Sequence, residues 1–233
     1  MQKGHIHPLT YVIRDIERIF GTLGFSVVQG PELETEYYNF DALNMPSDHS
    51  SRDMQDTFWL KQKNEKGERL LLRTQTSSVQ IRAMEHMKLP LKVLVAGGRV
   101  FRNESTDATH EAQFHQQEAL YVDKNVSMAD LKGTLSYFCK EFFGPDAEVR
   151  FRPSYFPFVE PALEVDMKWK DRWLEIAGSG LVHPNVLRTV GIDPSVWKGF
   201  AFSLGVDRLA ILRYGIDDIR LFDNGDMRLI EQF

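Results

Sequence analysis

The sequence predicts an α+β fold, a mostly antiparallel β-sheet flanked by helices. Three observations predict it. Strand-like segments joined by short turns outnumber any alternation of strand, helix and strand. Residues 8–20, 76–88 and 127–143 read as helices that can cover a sheet face. No Gly-rich turn leads from a strand into a helix in the manner that cradles phosphates in doubly wound folds, so a nucleotide has to be held another way.

Residues 8–20 place Leu9, Val12, Ile13, Ile16, Ile19 and Phe20 at three- and four-residue spacing, and Pro8 suits a first helical position. Gly21 and Gly24 are expected to end this helix, and a short strand at 25–28 stops at Gly30-Pro31. Residues 34–56 mix aromatics with polar side chains and read as a long, irregular, ordered connection. Strands at 57–61 and 69–74 pair around a charged turn. The helix at 76–88 is expected to start on a Ser77 or Ser78 cap and to end before Pro90.

A buried strand at 93–102 turns polar at its end, a loop spans 103–112, and a strand spans 113–122. Ser127 and Asp130 have capping-box spacing at the head of 127–143, whose apolar face is Met128, Leu131, Leu135, Phe138 and Phe142. Further strands are expected at 148–152, at 163–169 and 173–177 joined through Lys170, Asp171 and Arg172, and at 200–204. The segment SYFPFVEP is expected to be irregular and 178–180 a Gly-rich break. Short helices are expected at 182–190 and 205–214.

Composition bounds the function. The 233 residues make one large domain, or a domain with a small appendage. A net charge of −5 repels a nucleic-acid backbone, so any RNA contact needs a local basic patch or a partner chain. A single cysteine, Cys139, builds no disulfide framework and fits a reducing, cytoplasmic setting. No apolar run approaches the ~18 residues of a membrane span, and the start, MQKGHIHPL, is too short and polar for a signal peptide.

Four groups of residues carry candidate chemistry. Arg102 and Glu104 are two apart at a strand end, where an extended chain points both to one face and the guanidinium offers a planar fork for a phosphate. A surface ion pair is the plainer reading. On the next strand Phe114, Gln116 and Glu118 share a face, which supplies a ring to stack a base, an amide and a carboxylate for an ammonium. A solvated sheet face is its plainer reading. Gly205 opens a helix with Arg208 in its first turn, where a cation opposes the helix dipole unless an anion is to be bound. Phe156 and Phe158 flank Pro157 and form either an apolar slot or buried packing under a loop. The pair His5 and His7 is too small for a metal site, and core or surface histidines are the simpler reading.

Together these motifs resemble those of class II aminoacyl-tRNA synthetases. FRNE at 101–104 with the Phe114 strand resembles motif 2, GVDR at 205–208 resembles motif 3, and the Pro8 helix with the strand up to Pro31 resembles motif 1, the dimer element. More narrowly, YYNFDALN, DTFWL, LLRTQTS, GRVFRNE, DATHEAQFHQQE, RPSYFPFVEP, VHPNVLR and GFAFSLGVDRLAILRYGIDDIR resemble the α subunits of phenylalanyl-tRNA synthetases over nearly the whole chain.

The resemblance implies one catalytic domain over 1–233 that condenses phenylalanine with ATP, in the presence of Mg2+, and passes the acyl group to tRNA(Phe). It implies that Arg102 holds the α-phosphate, Glu104 contacts the adenine side, His110 lies near the phosphates, and Phe114 and Arg208 sandwich the adenine. It further implies that Ser77, Gln116 and Glu118 bind the amino end of phenylalanine, Phe156 and Phe158 grip its ring, and Ala201 sets the pocket depth. Glu160 matches a magnesium-ligand position shared with the partner subunit. Arg102, Glu104 and Arg208 are the implied catalytic set, with no protein nucleophile and no dependence on Cys139.

A β subunit in an α2β2 assembly, or a homodimer through motif 1, is the implied partner. This sequence departs from the family in Ser203, where motif 3 usually has Gly, and in lacking the N-terminal helical arm that contacts tRNA in bacterial α subunits. A shortened chain, a partner that supplies the contact, and a naturally minimal protein all accommodate that lack, and tRNA is expected to bind weakly to this chain alone. Two other functions share the fold: a paralogue that makes an aminoacyl-adenylate for a non-tRNA acceptor, and a non-catalytic regulatory module. The retained set Arg102, Glu104, Phe114 and Arg208 argues against the second.

Overall fold

The computed structural model describes residues 4–52, 56–108, 110–169 and 171–233. Helix α1 (Pro8–Thr22) starts on His7, whose Nδ1 accepts the Leu9 N–H at 3.2 Å while its Nε2 donates to the Phe222 carbonyl. It runs through Gly21, which does not end it, and the chain turns at Gly24 with φ +82°. Strand β1 (Ser26–Val28) follows.

The predicted irregular stretch is partly regular, and its residues 53–55 lie outside the described residues. It holds β2 (Leu33–Thr35), α2 (Glu36–Asn39) and a 3-10 turn at Asp41–Leu43. Phe40, Ala42, Leu43 and Met45 bury completely or nearly so there, which makes the segment part of the core. Strand β2 then pairs with β4 (Arg69–Leu72), and β4 with β3 (Trp59–Lys63), in a small separate sheet.

Among the described residues the main sheet holds eight strands. Six besides β1 are β5 (Leu91–Val95), β7 (Gln113–Asp123), β8 (Val149–Phe156), β9 (Val159–Trp169), β10 (Arg172–Val182) and β11 (Lys198–Gly205), in the order β1-β5-β7-β11-β10-β9-β8. The eighth, β6 (Gly98–Phe101), pairs with β7 beyond the end of β5. All pairings are antiparallel except β1 with β5.

The strand predicted at 93–102 is therefore two strands. The Ala96 N–H bonds to the Val28 carbonyl at 2.8 Å, and a Cβ at Gly97 would lie 2.6 Å from the Ile13 side chain. Helix α1 thus crosses the chain where the ladder breaks.

Two further expectations are corrected. SYFPFVEP is not irregular: β8 and β9 form a hairpin whose turn is Pro157 and Phe158. Residues 178–180 do not break a strand but lie inside β10, where a Cβ at Gly180 would approach the Pro161 carbonyl oxygen to 2.6 Å. These glycines make room between strands; they do not loosen the backbone. The β9–β10 turn residue Lys170 lies outside the described residues.

Two hydrophobic clusters cover the sheet. On one face α1, α4 (Met128–Phe143) and α6 (Val206–Tyr214) pack on Ala119, Phe200, Phe202 and Leu204. Phe20 stacks on Phe138 there at 5.1 Å. The expected capping box of α4 is present, with Ser127 accepting from the Asp130 N–H and Asp130 from the Ser127 N–H. On the other face α3 (Ser77–His86), α5 (Pro184–Thr189) and the 40–45 segment pack on Val93, Leu120, Val122 and Ala201. The antiparallel period sends alternate β7 and β11 side chains to these two faces. At one end, the second face opens into a cavity.

Candidate active site

The cavity has a volume of about 510 Å³ and is floored by β7, β10 and β11. Because residues two apart on a strand share a face, Phe114, Gln116 and Glu118 of β7 line it together, as predicted. The register sets Ser203 opposite both Glu118 and Gly178, and Ala201 opposite Gly180. Ala201 and Ser203 both line the cavity, so the Ser203 hydroxymethyl stands at the site and not behind it.

Glu118 is 2% exposed. Its Oε2 accepts from Ser77 Oγ at 2.8 Å and from Gln80 Nε2 at 2.6 Å. The expected Ser77 or Ser78 cap of α3 is not formed: Thr76 is the N-cap residue, and the Ser77 hydroxyl is committed to Glu118. Burial pushes the Glu118 carboxyl above its ordinary range, and the hydrogen bond from Ser77 opposes the shift. Beside it, the buried Oε1 of Gln116 has no hydrogen-bond partner. A carboxylate and an orphaned amide oxygen in one cavity call for a ligand that donates several hydrogen bonds and carries positive charge.

Arg102 supplies the opposite charge. Its guanidinium lies 5.1 Å from the Phe114 ring centroid, and its Nε donates to the Thr74 carbonyl at 3.2 Å. Burial pulls its pKa down, while Glu104 and Glu118 raise it. Among the described residues only its Nε has a hydrogen-bond partner, and Arg102 lines the cavity, so the Nη fork is left for an anion. Arg208, in the first turn of α6, also lines the cavity.

At the other end Phe156 and Phe158 line the wall, with ring centroids 6.1 Å apart and planes 16° apart. A Cβ at Gly178 would lie 3.0 Å from Phe156 Cζ, so glycine is what lets that ring seat.

Three sequence-predicted residues are not brought to the cavity. Glu104 does not share an extended face with Arg102, because the chain leaves β6 at Phe101 and the Glu104 N–H folds back to the Arg102 carbonyl at 2.8 Å. His110 is exposed on its loop, and its N–H and Nδ1 bond to Asp107. Glu160 is on β9 with a side chain 76% exposed, 3.4 Å from His183 Nε2.

Two residues that sequence reasoning missed belong to the cavity. Gln80, three residues after Ser77 on the same helix, was legible from helical spacing alone. Glu175 lines the cavity at the β10 bulge between Glu175 and Ala177. Burial and then Glu164 push its carboxyl pKa up, while Arg208 pulls it down. Among the described residues no group of three or more His, Cys, Asp or Glu is placed to hold a metal. Glu175 is an exposed carboxylate on the cavity lining, near enough to Arg208 to feel its charge, and Mg2+ needs only one or two protein carboxylates when phosphate oxygens complete its shell.

Comparison with known proteins gives a consistent picture. The family described as tRNA synthetases class II core domain (F) matches residues 1–233. The chain is 54% identical over 234 residues to the phenylalanine–tRNA ligase α subunit of Pectobacterium atrosepticum, covering 100% of this chain and 69% of that one. It is 51% identical over 242 residues to that of Caldanaerobacter subterraneus, covering 99% and 69%. The crystal structure of a pyrrolysyl-tRNA synthetase from Desulfitobacterium hafniense superposes with a TM-score of 0.71 over 94% of this chain and 74% of that one. At 16% identity, that likeness concerns the fold.

Proposed function

Because the chain belongs to the class II tRNA synthetase core family, in its phenylalanine–tRNA ligase α-subunit branch, we propose that the cavity is where it activates phenylalanine and charges tRNA(Phe). The observation that carries the amino-acid half is the pairing of buried Glu118 with the orphaned Oε1 of Gln116. That pair suits the ammonium of an amino acid, and Phe156 with Phe158 suits an aromatic side chain.

The substrate carboxylate attacks the α-phosphorus of ATP. A P–O bond forms to the carboxylate, the bond to the β-phosphate oxygen breaks, and pyrophosphate leaves. No protein nucleophile is needed. Arg102 takes up the charge on the α-phosphoryl oxygens, and Phe114 with Arg208 holds the base. Where Mg2+ is bound it neutralises phosphate charge, and Glu175 on the cavity lining would help hold it. Glu104 acts on Arg102 through its charge from outside the cavity lining, and His110 is exposed.

We propose a cytoplasmic location on cysteine usage alone, a single Cys139 that builds no disulfide framework. The partner is a β subunit in an α2β2 assembly, which supplies tRNA contacts that a chain of net charge −5 provides poorly.

The test of the reaction is ATP–pyrophosphate exchange across the amino acids, with and without the β subunit. Exchange with phenylalanine is expected, and its absence under both conditions rejects the assignment. Ala201→Gly is expected to admit para-substituted phenylalanines into exchange; a variant that still excludes them places the ring elsewhere.

The raised Glu118 pKa gives a pH prediction with a definite sign. In the free protein, the native carboxyl holds its proton above the ordinary 4.5, so stability is gained as pH falls through the native pKa. Ammonium binding needs the carboxylate, so the KM for phenylalanine should rise as pH falls through the same window. A KM that stays level from neutral pH down to that value separates Glu118 from the ammonium.

A further inference from the structure

Strand β11 ends at Gly205, opposite Gln116 of β7, and the chain turns there into α6. The next rung of the ladder would have paired residue 206 with His115. The turn into the helix removes that rung, yet a buried N–H needs an acceptor. Asp207 supplies it. Its Oδ2 accepts the His115 N–H at 2.6 Å, its Oδ1 lies 3.5 Å from His115 Nδ1, and the residue is 3% exposed. On its other edge β7 is held by β6, with His115 opposite Arg99.

The position of this contact matters. His115 lies between Phe114 and Gln116, and Asp207 immediately precedes Arg208. One side chain therefore ties the first turn of α6 to the strand segment that carries the Phe114 ring of the cavity. A carboxylate in the first turn also suits the helix dipole that the Arg208 cation opposes.

We propose that Asp207 is a positioning residue for the nucleotide: by accepting the His115 amide it fixes the separation of Phe114 and Arg208, and so the width of the slot that receives the adenine. The inference rests on the reading of the cavity as an ATP site. It predicts a defect confined to the nucleotide, because Glu118, Ser77 and Gln80 hold the amino-acid end by separate bonds.

The test is calorimetric titration with ATP and Mg2+, together with exchange kinetics, on the chain assembled with its β subunit. Asp207→Ala should weaken ATP binding and raise the KM for ATP by about tenfold or more, with the KM for phenylalanine changed by less than about twofold. Asp207→Asn keeps an acceptor oxygen and should restore ATP affinity to within about threefold of the parent. A folded Asp207→Ala with unchanged ATP affinity overturns the proposal. An equal rise in both KM values, or an asparagine variant as impaired as alanine, does so as well.

Should the alanine variant not fold, hydrogen exchange of the His115 amide in the parent protein decides. Slow exchange before ATP is added is expected, and exchange as fast as that of the 103–112 loop overturns it. A parent protein that binds ATP but shows no exchange with phenylalanine would refute the proposed reaction while leaving the Asp207 result to stand on the titration.

Discussion

Arg102→Ala is expected to lower phenylalanine-dependent ATP–pyrophosphate exchange by on the order of 100- to 1,000-fold, the cost of removing one preorganised donor from a developing oxyanion. Stability should change little. Among the described residues the guanidinium makes one hydrogen bond, to the Thr74 carbonyl, and its burial pulls its own pKa down. A charge buried at such cost and left with free donors serves something other than the fold. Lysine should not rescue, because a point charge cannot reproduce two parallel N–H bonds at the distance set by the Phe114 ring. Single-turnover adenylate formation, with a thermal melt beside it, is the measurement. Exchange within tenfold of the parent would remove Arg102 from the reaction.

Glu118→Gln carries the second large effect, and it splits function from stability. The substitution removes the charge that answers the substrate ammonium, and truncating one side of a buried charge pair costs about 2–5 kcal/mol. At the lower end that is a rise in the KM for phenylalanine of roughly 30-fold, with the KM for ATP unchanged. The melting temperature should hold or rise, because the free protein no longer carries a buried carboxylate whose ionisation burial disfavours. The introduced amide oxygen can still accept from Ser77. A variant that loses stability and binds phenylalanine normally would show that Glu118 is structural.

What was legible in the sequence followed from period. The two-residue alternation of β7 puts Phe114, Gln116 and Glu118 on one face, and the family resemblance brings Arg208 to the same cavity. What was not legible depended on contacts between distant segments. Gly97 breaks the 93–102 strand because Ile13 of α1 lies over it, and no local pattern encodes that. Pro157 and the surrounding aromatics made 154–161 look like a loop, whereas the proline occupies the turn of a tight hairpin.

Glu175 was missed because a bulge, not simple alternation, sets the facing of β10 at that point. Ser77 was found for its place in the motif, but its local reading as a helix cap failed. A hydroxyl at a helix start is as ready to serve a carboxylate across the cavity as its own backbone.

The pairing of β7 with β11 has a further consequence. On the proposed reading, what every amino acid shares, an ammonium and a carboxylate awaiting ATP, would be met by Gln116, Glu118 and Arg102, which line the cavity. What distinguishes one amino acid from another would be met across the ladder, at Ala201 and Ser203, and at the Phe156–Phe158 turn. Grammar and vocabulary are written on neighbouring strands. A change of substrate can then be made at positions 201 and 203 with the adenylation chemistry left as it stands, and a lineage or a designer can rewrite the word without disturbing the sentence.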